Sequence, residues 1–179
     1  LLEIFNRYPI CRLIIHPRIR QEFYKGTPHM DVFAEAVRES RNPLCYNGDL
    51  FTLEDCRQFQ KAFPQVDAVM LGRGLLADPF LLSKLRKEKD AEAEEGRNRR
   101  EAEKKEILAQ FLADLCAGYQ ETMSGERNVL FKLKELWSYL ICLFEDGEKY
   151  GKKIRKSQSL QEYSLWTERI LAERPLRKG

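Results

Sequence analysis

The sequence has no CxxC pair, only two histidines, and no apolar run long enough to cross a bilayer. Its five cysteines, Cys11, Cys45, Cys56, Cys116 and Cys142, are odd in number and scattered, mostly in apolar stretches. That pattern supports neither a zinc knuckle nor a disulfide framework; it predicts reduced, largely buried thiols in a cytoplasmic protein. No Ser-His-Asp arrangement, HExxH helix, Walker loop or cluster of metal ligands can be assembled, so no metal site is expected. Arg7 and Arg12 interrupt the apolar start, which argues against a signal peptide, a membrane span or a membrane partner. The excess of one charge over the other is small too. Lys plus Arg number 31 against 28 Asp plus Glu, and a net charge of +3 neither demands nor excludes a polyanionic partner. Hydrophobic residues make up 43% of the chain, enough for a sizeable core. The first residue is Leu and falls inside a helical pattern, so the start is expected to be cut.

What the chain does have is a repeated strand–loop–helix order. Leu44-Cys45-Tyr46-Asn47-Gly48-Asp49 and Ala68-Val69-Met70-Leu71-Gly72-Arg73-Gly74 are short apolar runs that end abruptly in glycine-bearing polar residues, each followed by a helical pattern. Glycine lets a backbone approach a ligand closely, and a helix N-terminus offers N–H groups to an anion. Arg73 can fork onto phosphate oxygens. A phosphate held between two adjacent loops is therefore the natural reading, and in (β/α)₈ barrels such a site lies on the loops after the last two strands. Asn47-Gly48 is also a favoured hairpin turn, but the helical periodicity of residues 50–63 leaves no strand to pair.

Upstream, residues 1–7 read as a helix end stopped at Tyr8-Pro9, and Cys11 to Ile15 as a strand ending at His16. Met30 to Glu39 is predicted helical, and Thr52 with Asp55 resembles a capping box opening a helix that runs through Phe63. A third strand is expected over Val66 to Leu71, and a further helix after Asp78-Pro79. Three strands, each followed by a helix, imply parallel neighbours with right-handed crossovers and covered faces. They read as the last part of a larger barrel or open sheet. Residues 86–106 are dominated by charge and alanine, which predicts a solvated helix or connector. From Ile107 the pattern is helical again and predicts a small all-helical domain.

His16, at the end of the first strand and level with both glycine loops, is a candidate site residue. Arg18, Arg20, Tyr24 and Lys25 form a basic loop with an aromatic among them; it is either a solvated loop or a contact for a nucleic-acid backbone or base. In the tail, Lys152, Lys153, Arg155 and Lys156 are expected in a loop or helix start after Gly147 and are candidates for phosphate contacts. Trp137 and Tyr139 share a helical spacing with Leu133, Leu136 and Leu140 and read as core first.

Taken together, His16-Pro17-Arg18-Ile19-Arg20-Gln21-Glu22-Phe23-Tyr24-Lys25-Gly26, Tyr46-Asn47-Gly48-Asp49, Met70-Leu71-Gly72-Arg73-Gly74 and Asp78-Pro79-Phe80 resemble, in order and spacing, the tRNA-dihydrouridine synthases. The helical tail around Phe131 to Leu140 is similar to that family's C-terminal RNA-binding domain. The resemblance implies an α/β fold, the C-terminal part of a (β/α)₈ TIM barrel followed by a small all-helical domain. Residues 1–85 would carry strands six to eight, residues 86–106 a charged connector, and residues 107–179 the RNA-binding helices. It implies FMN as cofactor, with its phosphate at Asn47, Gly48, Asp49, Gly72 and Arg73 and with His16 near the flavin ring or target base. NADPH or NADH would be the reductant, and tRNA, bound by a monomer, the partner. The family's catalytic cysteine stands in an Asn-x-Gly-Cys-Pro context that none of the five cysteines has, so no catalytic residue is assigned and these residues alone are expected to be inactive. Two alternatives stay open: a truncated, non-catalytic tRNA-binding product, and part of another FMN-dependent barrel oxidoreductase.

Overall fold

Alternating strands and helices build the first half of the chain, and helices alone build the second. The computed structural model describes residues 1–89 and 101–177. In order they form α1 (Leu2–Phe5), β1 (Leu13–Ile15), a 3₁₀ turn (Arg20–Glu22), α2 (Met30–Glu39), β2 (Leu44–Asn47), α3 (Leu53–Ala62), β3 (Ala68–Met70), α4 (Arg73–Ala77) and α5 (Leu81–Lys89). Then follow α6 (Glu101–Thr122), α7 (Glu126–Leu140), a second 3₁₀ turn (Ile141–Leu143), α8 (Glu148–Lys156) and α9 (Leu160–Glu173). The described residues divide into two compact units, 1–75 with 79–82 and 76–78 with those after 82. No helix among them is long and apolar enough to cross a membrane.

The first unit is organised by a parallel three-stranded sheet in the order β1-β2-β3. Ile15 pairs with Tyr46, and Asn47 with Met70, so all three strands finish at the same edge of the sheet. The central strand is buried from Leu44 to Tyr46, whereas Ile14, Val69 and Met70 on the outer strands stay exposed. The crossover helices α2 and α3 meet over Tyr46. Its ring stacks on Phe59 at 4.4 Å and meets Phe33 edge-on at 4.9 Å, and Phe33 reaches Phe63 at 5.2 Å. Such aromatic pairs contribute about 0.5–1.5 kcal/mol each beyond the area they bury. The capping box is present: the Thr52 hydroxyl accepts from the Asp55 N–H, and the Asp55 carboxylate accepts from the Thr52 N–H.

Several expectations are corrected. β1 starts at Leu13 and β3 at Ala68, because residues 11 and 12 find no strand partner and Val66 is held in a turn by its N–H bond to the Phe63 carbonyl. α4 begins at Arg73, where only a loop was expected. Residues 148–156 form a complete helix, with Gly151 and Ile154 on its buried side, rather than a loop or helix start. The thiols are not largely buried: Cys45 and Cys56 are, but Cys11, ahead of the sheet, and Cys142, in a surface turn, are exposed. The charged connector expected over 86–106 falls largely outside the described residues, and its described ends belong to α5 and α6.

In the second unit the core gathers around Trp137 and includes Leu108, Leu133, Leu140, Phe144, Ile154 and Ile170. Trp137 donates its indole N–H to the Tyr163 hydroxyl at 3.0 Å, inside the core, while Phe144 packs on its ring. Trp137 is thereby core, as its spacing predicted. Burial pushes the Tyr163 phenol above its ordinary pKa. The same bond makes a sharp stability test. Tyr163→Phe keeps the packing but strands a buried donor, which costs about 1–3 kcal/mol, to be measured by denaturant unfolding.

Candidate functional site

Parallel strands deliver His16, Asn47 and the Gly72–Arg73 turn to one edge of the sheet. His16 is exposed, and its Nδ1 lies 2.6 Å from the Asn47 carbonyl oxygen. A carbonyl can only accept, so Nδ1 carries the proton and Nε2 is the nitrogen turned to other partners. The two glycine loops touch directly. A Cβ on Gly74 would stand 2.1 Å from the Leu50 carbonyl oxygen, so only glycine lets the start of α4 lie against the β2–α3 loop. A Cβ on Gly72 would meet nothing within 4 Å. Open space therefore faces the residue before Arg73.

The charges at this edge converge on Asp49. One carboxylate oxygen accepts from Arg73 Nη2 at 2.5 Å, and the other accepts from Arg18 Nη2. The Arg18 side chain is 1% exposed, and its guanidinium also donates to the carbonyls of Lys25 at 2.6 Å and Gly26 at 3.0 Å. Its Nε is buried without a partner among the described residues. Arg73 is 23% exposed; its guanidinium carbon sits 4.0 Å over the Tyr24 ring and 5.3 Å from that of Phe51. Burial, and then the Asp49 charge, push the Tyr46 phenol up. Two arginines against one carboxylate leave a net positive edge, and of the two only Arg73 reaches solvent.

The donors expected to serve an anion are the Arg73 guanidinium and the backbone N–H groups around the two glycine loops. Ahead of α3 the Asp55 carboxylate already accepts from the N–H groups of both Phe51 and Thr52. The capacity therefore rests on Arg73 and on backbone groups of the two glycine loops. In the 16–26 loop, Arg18 points inward, whereas Arg20, Tyr24 and Lys25 are exposed. His29 pairs with Glu22 at 2.7 Å, and the Ile19 N–H and His29 together hold the Glu22 carboxyl below its ordinary range.

On α8 the side chains of Lys152, Lys153, Arg155 and Lys156 are all exposed. Lys153 Nζ lies 5.3 Å from the Trp166 ring centroid and the Arg169 guanidinium carbon 5.0 Å from it, so an aromatic flanked by cations borders the cluster. Trp166, Arg169 and Phe51 were not singled out by sequence. The i,i+3 placement of Trp166 and Arg169 on α9 was the available signal.

Comparison with known proteins gives a consistent family. The family model described as Dihydrouridine synthase (Dus) matches residues 4–168. A tRNA-dihydrouridine(16) synthase of Ralstonia nicotianae is 35% identical over 74 residues, 41% of this chain and 22% of that protein. tRNA-dihydrouridine synthase B of Shewanella oneidensis is 33% identical over 76 residues, 42% of this chain and 23% of that protein. A probable tRNA-dihydrouridine synthase of Rickettsia conorii is 31% identical over 87 residues, 48% of this chain and 25% of that protein. The matched stretches thus span about a quarter of the length of these curated relatives.

The glycines of the second loop separate structure from ligand space. Gly74→Ala is expected to cost about 1–3 kcal/mol, as overpacking against backbone does, whereas Gly72→Ala stays within about 0.5 kcal/mol of the parent. Thermal unfolding of the two variants checks the contrast.

Proposed function

Because the chain belongs to the dihydrouridine synthase family, we propose that it contributes the phosphate side of the flavin site, and a tRNA-binding surface, to a flavin-dependent tRNA-dihydrouridine synthase. In this reading the three parallel strands are strands six to eight of a (β/α)₈ barrel, and the helices after residue 107 are an RNA-binding domain. The observation that carries it is Arg73: a partly exposed guanidinium, clamped by Asp49 between Tyr24 and Phe51, at the edge where three parallel strands end. Parallel α/β sheets bind their ligands at such carboxyl ends.

The residues present fit an FMN phosphate. Among the described residues Arg73 has Nε and Nη1 without an acceptor, the space beside Gly72 is open, and the backbone N–H groups of Gly48 and Gly72 lie on the two loops that meet there. FMN, reduced by NADPH or NADH, would supply the hydride that saturates the C5–C6 bond of a tRNA uridine. His16, held by the Asn47 carbonyl, would orient toward the flavin ring or the target base with Nε2. Arg20, Tyr24 and Lys25 would meet the nucleic acid near the site, and Lys152, Lys153, Arg155 and Lys156 its phosphates. No catalytic role is proposed for any of the five cysteines, and the reduction is proposed for the complete protein rather than for these residues alone.

Two measurements test this. A charge-assisted contact of the Arg73 kind contributes about 1.5–3 kcal/mol, so Arg73→Ala is expected to weaken FMN binding by about tenfold or more in a flavin-fluorescence titration. Wild-type affinity in that variant would remove the assignment. For tRNA, each phosphate contact contributes roughly 0.7–0.9 to the slope of log affinity against log salt. Replacing Lys152, Lys153, Arg155 and Lys156 with alanine should therefore flatten that slope by about 3 if all four make contacts, and weaken binding alike across tRNA sequences. An unchanged slope would make the cluster a solvated surface.

A further inference from the structure

We propose that Arg18 is a positioning residue for phosphate recognition: through Asp49 it fixes the plane of the Arg73 guanidinium, without itself reaching the ligand. The inference rests on the reading of Arg73 as the phosphate-facing residue and adds to it the device that holds Arg73 in place.

Arg18 is 1% exposed, and its terminal nitrogens are engaged by the Lys25 and Gly26 carbonyls and by Asp49. Its remaining donor, Nε, has no partner among the described residues but is itself buried, so Arg18 presents no exposed donor to a ligand. What it does present is one fixed position for the Asp49 carboxylate, tied at the same time to the bend of the 16–26 loop, where Gly26 adopts a positive φ of 70°. Asp49 passes that constraint on. With one oxygen on Arg18, it offers the other to Arg73 Nη2, which settles where one edge of the second guanidinium lies. The Tyr24 ring at 4.0 Å, belonging to the loop that Arg18 braces, settles its face. Edge and face together determine the plane, and among the described residues Nε and Nη1 have no acceptor.

Without this chain the electrostatics would run the other way. A carboxylate beside a phosphate-binding arginine is an unfavourable neighbour for a phosphate, since it neutralises the cation and repels the incoming anion. Asp49 is tolerable there because Arg18 offsets its charge from behind, and useful there because a planar, pre-oriented fork loses less freedom when it binds. Positioning and simple charge therefore predict opposite outcomes when the carboxylate is neutralised.

The test compares FMN with riboflavin, which differ only by the phosphate, as ligands of the intact apoprotein followed by flavin fluorescence. Asp49→Asn keeps the shape of the side chain and removes its charge, and Arg18→Met keeps most of the volume of the buried side chain. Both are expected to lower the FMN-to-riboflavin affinity ratio by about tenfold, the size of one charge-assisted contact, while riboflavin affinity stays within about twofold of the parent. A merely structural role would weaken both flavins alike and leave the ratio unchanged, which would overturn the proposal. A higher ratio in Asp49→Asn would overturn it as well, by making Asp49 a competitor of the phosphate. Asp49→Asn suffices for the decision if Arg18→Met does not fold. Arg73→Ala is the reference. If it alone lowers the ratio, Arg18 is not a positioning residue although the phosphate assignment stands; if it leaves the ratio unchanged, the phosphate assignment falls and this proposal with it.

Discussion

The Asp49 carboxylate, shared between Arg18 and Arg73, is the constraint from which the rest of the site follows. Burying a guanidinium as deeply as that of Arg18 costs several kcal/mol unless its charge and donors are met. Here a carboxylate and two backbone carbonyls meet the charge and the two terminal nitrogens, while Nε has no partner among the described residues. In return, three segments distant in sequence are joined: the loop after β1, the turn after β2 and the start of α4 after β3. Each follows a strand of one parallel sheet, so the ion cluster lies at the sheet's carboxyl edge and fixes how its three loops face one another.

The remainder of the first unit serves that placement. Tyr46 anchors the central strand beneath α2 and α3 through its contacts with Phe33 and Phe59, and the strand it anchors leads directly into Asn47, Gly48 and Asp49. Gly74 lets α4 close against the Leu50 carbonyl and so brings Arg73 within reach of Asp49. The second unit has its own core around Trp137, and the cations of α8 lie outside it. α8 buries Gly151 and Ile154 and turns its lysines and Arg155 to solvent, as the proposed tRNA surface requires.

Much of this was legible in the sequence, for physical reasons that differ by element. The extent of α2, the capping box of α3 and the order of the three strands follow from local chemistry: apolar spacing, a Thr–Asp pair three residues apart, and apolar runs ended by glycine. The family was legible because its motif residues stand in the same order and spacing at the ends of the strands. Arg18 was misjudged as a surface contact, because nothing local shows that a basic residue in a polar loop will find a carboxylate 31 positions away. α4 was missed because Gly72-Arg73-Gly74 has poor helix propensity, and tertiary closure against Leu50 outweighs it. α8 was underestimated because Gly147 suggested a loop. Gly151 in fact lets the helix approach Ile141, whose side chain would stand 2.9 Å from an added Cβ.

The most direct test of the account is an experimental structure of the complete protein with FMN bound. The account requires the phosphate oxygens within about 3 Å of the Arg73 guanidinium, beside Gly72, with the Asp49 bridge to Arg18 intact and Arg18 out of contact with the ligand. A phosphate bound elsewhere, or an Arg73 swung away from both Asp49 and the ligand, would contradict it.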